Sequence, residues 1–183
     1  SIYDRAKYHS PVEEHATKRL AEGSGYAWAP DPMTQAQVWY GTPGYTDPGG
    51  GCVTDPTTAQ LDAQRLVLPL HDITQVGPVY KLEGPFVRLL DWESPTVPPV
   101  TAAHPDSFRF NREQSGYEDV MVYYHIDMAQ RHIQSLGFTN IQNLPIGVDP
   151  HGFSCDDNSH YVPSTNQLAF GEGGVDDAEE GDV

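Results

Sequence analysis

The sequence predicts an α+β fold: a β-rich leading region, then a long buried helix, then a short mixed sheet with an exposed edge strand. Seventeen glycines and sixteen prolines among 183 residues favour many turns and short strands over a helical bundle. Residues 117–136 nevertheless carry a strong helical periodicity between Gly116 and Gly137. A chain that mixes these two signals is expected to combine sheets with one dominant helix.

Residues 1–30 are predicted to be an attachment segment with one short helix. Ser10 has the form of an N-cap, and Pro11 occupies the first helical position, where the missing amide hydrogen costs nothing. The helix is expected to cover residues 11–22 and to end at Gly23. Because its apolar positions form one narrow stripe, it needs a packing partner to persist.

Residues 31–103 are predicted to form the β-rich region. Strand signals occur at residues 35–40, 65–73, 79–82 and 86–92. Pro69 lies inside the second of these runs, so that strand is expected at a sheet edge or with a bulge. The last two runs flank a Glu-Gly-Pro turn and predict a hairpin. A linker rich in proline and threonine is expected at residues 94–104.

Residues 104–183 are predicted to contain the long helix and then three short strands, near residues 145–148, 159–162 and 167–170. On a helical wheel the polar side chains of the helix form one narrow arc: Asp119, Asp127, Gln130, Arg131 and Gln134. A helix with so narrow a polar face is expected to be largely buried. His125 and His132 lie on the apolar side, about 10 Å apart along the axis and too far apart for one metal ion. Each is expected to be a buried imidazole hydrogen-bonded to a neighbour.

The charge balance limits the classes of partner. Ten basic against twenty-six acidic residues give a formal charge of −16. Phosphate backbones are bound by clustered Lys and Arg, so nucleic acid is not expected as a partner. No apolar run approaches the roughly twenty residues that span a bilayer, so no membrane segment is expected. The acidic balance fits an extracellular protein, and most of the carboxylates are expected to serve solubility.

Cys52 and Cys155 are the two cysteines of the chain. Their wide separation excludes a zinc site built from closely spaced pairs. If the protein is secreted, the two could form a disulfide worth about 4–5 kcal/mol in the chain-entropy model. Two buried free thiols are the alternative.

Three stretches of the chain, taken together, form a pattern. They are Asp-Val-Met-Val-Tyr-Tyr-His at residues 119–125, Leu-Gly-Phe at 136–138, and Phe-Gly-Glu-Gly-Gly-Val-Asp-Asp-Ala-Glu at 170–179. The pattern resembles the N-terminal part of the catalytic region of thermolysin-like and fungalysin-like zinc metallopeptidases, the gluzincins. In that family the acidic stretch leads into a helix carrying His-Glu-x-x-His, which supplies two zinc ligands and a general base. This chain contains no such motif. It is therefore expected to be half of a thermolysin-like catalytic fold that stops before the zinc site.

The resemblance implies that the intact relative is a secreted bacterial endopeptidase whose zinc ligands lie outside this chain. It also implies an exposed edge strand beside the zinc cleft, formed by Asn158, Ser159, His160 and Tyr161. Such an edge binds an extended peptide substrate through main-chain hydrogen bonds. The alternative is an ordinary edge strand that only completes the sheet. By itself, the chain is expected to be inactive.

Carboxylates are dense after residue 171. Glu172, Asp176 and Asp177 are candidate calcium ligands, because calcium takes several oxygen ligands and thermolysin-like proteins use it. The spacing does not match an EF-hand. The same carboxylates could instead belong to a solvated loop, or stabilise the amino end of a following helix through its dipole.

Three functions from different classes remain open at this point. The chain could be the N-terminal piece of a zinc endopeptidase, with the rest of the catalytic domain as its partner. It could be a non-catalytic extracellular subunit that uses the same scaffold to dock another protein chain through open edges and an apolar helix face. It could also be a calcium-dependent binding domain. Intact mass of the source polypeptide separates the first two, and a calcium-dependent shift in melting temperature tests the third.

Overall fold

A computed structural model describes residues 17–45, 52, 54–156 and 158–171. The strands are β1 (Lys18–Ala27), β2 (Leu66–Val76), β3 (Val79–Lys81), β4 (Val87–Leu89), β5 (Thr101–Ala102), β6 (Ile146–Asp149), β7 (Ser159–Val162) and β8 (Gln167–Phe170). The helices are α1 (Pro32–Ala36), α2 (Ala59–Gln64) and α3 (Gly116–Ser135). Two four-stranded sheets and one long helix confirm the predicted α+β fold.

The first sheet is antiparallel, with the strand order β1-β2-β3-β5. Pro69 pairs with Ser24 of β1, whereas β3 pairs with β2 only from Thr74 to Val76. Pro69 therefore lies in the part of β2 that has a strand partner on one side. This confirms the edge position expected for a proline within a strand.

The helix predicted over residues 11–22 is wrong at its end. Residues 11–16 lie outside the described part of the chain, but Lys18 to Glu22 belong to β1. The narrow apolar stripe supplies too little burial to hold a helix, whereas pairing with β2 gives the backbone of Lys18 to Ala21 hydrogen-bond partners.

The strand predicted over residues 35–40 is also wrong, because its first part belongs to α1. Asp31 caps this helix by accepting a hydrogen bond from the Thr34 amide at 2.8 Å, and Pro32 follows at the first helical position. The helix ends at Gln37 in the left-handed conformation. The capping signal of Asp31 and Pro32 outweighs the strand propensity of the β-branched and aromatic residues at positions 38–40.

The hairpin predicted from residues 79–82 and 86–92 is wrong, because the two strands lie in different sheets. β3 belongs to the first sheet and β4 to the second, and their segments meet through one isolated bridge between Glu83 and Arg88. The expected linker at residues 94–104 contributes the short edge strand β5. The turn before β4 therefore carries the chain from one sheet to the other.

The second sheet has the order β4-β6-β8-β7, with β4, β6 and β8 parallel and β7 antiparallel to β8. The buried core includes side chains from both sheets and from α3: Ile73, Leu82, Val87, Phe108, Val120, Met121, Val148 and Phe170. The helix thus helps to hold the two sheets together.

The first half of α3 is buried as predicted, but its second half is oriented differently. Asp127 and Gln130 are buried, whereas Leu136 is 60% exposed. The reason is an ion-pair network in which Arg131 contacts Asp127 and Asp72 of β2, each at 2.6 Å. Asp127 and Arg131 therefore face the first sheet, whereas Met128 and Leu136 are exposed.

The two helix histidines differ in the same way. The Nε2 atom of His125 lies 2.9 Å from the carbonyl oxygen of Trp28, so this histidine is hydrogen-bonded as predicted. His132 is exposed, contrary to the prediction. Burial lowers the pKa of His125 below its ordinary value of 6.5, while the hydrogen bond to Trp28 opposes that shift.

We expect this difference to appear in the pH dependence of stability. The unfolded chain binds a proton at position 125 near pH 6.5, whereas the folded chain binds it only at lower pH, so stability falls as the solution is acidified through this range. His125→Gln keeps a donor for Trp28 but cannot titrate, and it should flatten this fall. Urea unfolding between pH 7 and pH 5 measures the effect. His132→Gln is the matched control, and equal profiles for the two variants would contradict the assignment.

Candidate functional site

The candidate site is the free edge of the second sheet, formed by β7. Within the described residues, β7 pairs with β8 on one side and with no strand on the other. Ser159 lies opposite Phe170, and Tyr161 lies opposite Leu168. An unpaired edge of this kind presents backbone donors and acceptors to a further strand.

The hydrogen-bond alternation of the ladder decides which backbone groups face outward. The Gly171 amide donates to the Asn158 carbonyl at 2.9 Å, and antiparallel pairs alternate between bonded and non-bonded positions. The backbone groups of Ser159 and Tyr161 therefore point away from β8. The Ser159 amide donates to Oδ1 of Asn158 at 2.9 Å. In the described part of the chain, the Tyr161 amide and carbonyl at the centre of this edge are consequently left without a strand partner.

Side chains on the two faces of β7 have different surroundings. Tyr161 is 46% exposed, and its hydroxyl donates to Oδ1 of Asn166 in the following turn at 2.9 Å. His160 lies between two aromatic rings, with centroid distances of 4.8 Å to Phe153 and 5.7 Å to Trp92. Its Nε2 atom is 3.1 Å from a Glu93 carboxylate oxygen. His160 thus holds the strand against a cluster formed by Trp92, Glu93 and Phe153.

A buried carboxylate supports this cluster by accepting backbone hydrogen bonds. Asp149, at the end of β6, accepts hydrogen bonds from the backbone amides of Trp92, Glu93 and His151 at 2.9, 2.9 and 3.1 Å. Burial raises the pKa of Asp149, and the three amides partly offset that shift by favouring the charged form. Asp149 thereby fixes the backbone that presents Glu93 and Trp92 to His160.

The turn before β7 is attached at two further points. Glu93 accepts a hydrogen bond from the Phe153 amide at 2.9 Å. Cys155, two residues later, is joined by a disulfide to Cys52, with a Cα–Cα distance of 5.2 Å that is normal for such bonds. The bridge closes a loop across a separation of 103 residues, for which the chain-entropy model gives about 4–5 kcal/mol.

The predicted site residues divide into two groups. Asn158, Ser159, His160 and Tyr161 lie together at the sheet edge. Glu172, Asp176 and Asp177 lie outside the described residues. Among the described residues, no group of three or more His, Cys, Asp or Glu side chains is arranged to hold a metal ion. The described part of the chain therefore supplies no zinc ligand set.

Sequence reasoning missed the supporting residues Trp92, Glu93 and Asp149. Asp149 is 57 positions from Trp92, and no local pattern marks an aspartate as a receptor for three distant amides. The one signal in the sequence is its position at the end of a short apolar strand. A carboxylate at the end of a parallel strand lies at the edge where strand termini meet.

Comparison with protein-family models, with curated proteins and with solved structures found no match to this chain. Among the described helices, none is both long and apolar enough to cross a bilayer.

Proposed function

We propose that this chain is the N-terminal portion of a secreted zinc-dependent endopeptidase, to which it contributes the scaffold and a substrate-pairing edge strand. The observation that carries the proposal is the free edge of β7, where the backbone of Tyr161 faces outward. The resemblance in residues 119–125, 136–138 and 170–179 supplies the reaction class.

The chemistry of the edge suits an extended peptide. A peptide could add to β7 in either the antiparallel or the parallel direction. It would accept a hydrogen bond from the Tyr161 amide and donate one to the Tyr161 carbonyl, as neighbouring strands of a sheet do. These bonds involve the main chain, so they hold peptides of many sequences. Because the supporting contacts of His160 hold β7 in place before binding, little ordering cost remains.

The metal belongs to the intact parent protein. When bound there, zinc would polarise the scissile carbonyl as a Lewis acid. The residues of this chain would align the peptide and fix its backbone. The scissile carbonyl would then be held in the orientation that the reaction needs. Calcium at Glu172, Asp176 and Asp177 remains a prediction that the described residues do not test.

Removal of zinc from the parent polypeptide tests the proposal. We expect the parent, expressed from its complete gene, to hydrolyse an unstructured protein substrate such as casein. Dialysis against 1,10-phenanthroline should abolish hydrolysis, and stoichiometric zinc should restore it. A parent that hydrolyses nothing, or whose activity survives removal of the metal, would contradict the proposed function.

One observation favours a second candidate, a non-catalytic subunit that docks another protein chain. The outward side of α3 and the segment after it expose five large apolar side chains: Met128, Leu136, Phe138, Ile141 and Leu144. Such a patch is typical of a surface covered by another element. In the endopeptidase proposal, the remainder of the catalytic domain covers it; in the alternative, a separate protein does.

A further inference from the structure

A cleft lies where the two sheets meet, away from β7. It has a volume of about 370 Å³, within the range of roughly 300–1,000 Å³ that is usual for small-molecule sites. Its walls come from three short segments: residues 81–83, 88–90 and 99–101. The junction arises where the chain leaves β3, makes the Glu83–Arg88 bridge and enters β4. The two sheets thereby enclose a recess that neither forms alone.

Five of the nine residues that line the cleft are apolar. Leu82 and Leu89 form part of the buried core, and Leu90, Pro99 and Val100 complete the apolar lining. The Leu89 amide donates to the Leu82 carbonyl at 3.2 Å, which holds two of the walls together. The apolar part of the lining can contact an apolar group on a ligand.

Two cations line the same cleft. In β4 the side chains alternate, so Arg88 is exposed between the buried Val87 and Leu89. Lys81 is likewise exposed at the end of β3. In the part of the chain that the structure describes, neither Lys81 nor Arg88 makes an ion pair or a side-chain hydrogen bond.

The one acidic residue in the lining already has a partner. The Glu83 carboxylate lies 2.7 Å from the Lys18 ammonium group. The cleft therefore carries a local positive excess in a chain whose formal charge is −16. Positive charge held at the rim of a low-dielectric recess attracts anions and raises their local concentration.

From this combination we propose that the seam cleft, defined by Lys81, Arg88 and the apolar lining, binds an organic carboxylate with an apolar body. The Arg88 guanidinium matches the two oxygens of a carboxylate, and Lys81 adds a second cation. The C-terminal residue of an apolar peptide and a short fatty acid share this chemistry. The site is separate from β7, so it does not depend on the proposed endopeptidase activity.

Binding to the full chain is measured by isothermal titration calorimetry with four probes: N-acetyl-leucine, N-acetyl-leucinamide, hexanoate and inorganic phosphate. We expect N-acetyl-leucine to bind at least tenfold more tightly than its neutral amide and than phosphate. Stronger binding of hexanoate than of N-acetyl-leucine would assign the site to acyl chains, and the reverse order to peptide C-termini. Either order supports an organic carboxylate. Equal binding of acid and amide, binding of phosphate alone, or no binding would overturn the proposal.

Variants locate the binding. Arg88→Gln and Lys81→Gln should each weaken the preferred carboxylate at least tenfold, a loss of about 1.4 kcal/mol. Arg19→Gln makes the same charge change on β1, outside the cleft lining, and should leave the affinity unchanged. Because all three side chains are exposed, the variants are expected to fold, and thermal melting checks this. Equal weakening by all three substitutions would show a general charge effect and overturn the assignment to the cleft.

Discussion

Asp149→Ala is expected to lower the free energy of unfolding by about 3–5 kcal/mol, because it leaves backbone amides without their acceptor in a buried place. The three amides belong to Trp92, Glu93 and His151, and the Asp149 side chain that serves them is 1% exposed. Urea unfolding of the full chain at pH 7 measures the loss.

Two variants make this prediction specific. Asp149→Asn keeps one acceptor oxygen but directs an NH₂ group at the remaining donors, so it should lose part of the stability that alanine loses. Asp106→Ala removes an exposed carboxylate that accepts from the Ser24 hydroxyl at 2.7 Å, and it should cost about 0.5 kcal/mol or less. An alanine at position 149 that costs no more than the one at position 106 would refute the supporting role.

The proposed endopeptidase function predicts the second large effect, on catalysis by the parent protein. Tyr161→Pro removes the outward amide of β7 and should reduce kcat/KM for peptide substrates by about tenfold to a hundredfold, or about 1.4–2.8 kcal/mol. Proline is tolerated where the missing amide is not part of the ladder, so the pairing of β7 with β8 should persist.

Tyr161→Ala is the matched control for this substitution. It removes the same ring and the same hydroxyl contact with Asn166, but it keeps the backbone amide. We expect kcat/KM of the alanine variant to stay within about threefold of the unchanged protein, since the loss is confined to one exposed hydrogen bond. Equal losses for proline and alanine would show that the ring, not the main chain, contacts the substrate.

The elements that the sequence predicted well are those whose signals are local. Helix α3 carries its periodicity between two glycines, and β7 and β8 are short runs around a Pro-Ser-Thr-Asn turn. The helical wheel of α3 identified the polar arc, but it did not show whether the arc faces the core or the solvent. The arc faces inward because Arg131 forms an ion pair with Asp72, which is 59 positions away. A helical wheel contains no information about such a distant partner.

The elements that failed depend on competition or on distant partners. Lys18 to Glu22 could pack as a helix or pair as a strand, and the 11-residue β2 decides in favour of the strand. β3 and β4 read as a hairpin because they are neighbours in sequence, yet each finds a better partner in a different sheet. Asp149 supports the site through amides that lie 57 and 56 positions away. None of these three tertiary choices can be recognised from a short window of sequence.

Hydrogen exchange at the Tyr161 amide tests the central claim most directly. In the parent protein without ligand, this amide should exchange faster than the Ala169 amide, which faces β7 within the ladder. Saturation with a non-hydrolysable extended peptide should protect Tyr161 strongly and leave Ala169 almost unchanged. Bound peptide with no protection at Tyr161 would contradict the account of β7 as a substrate-pairing edge.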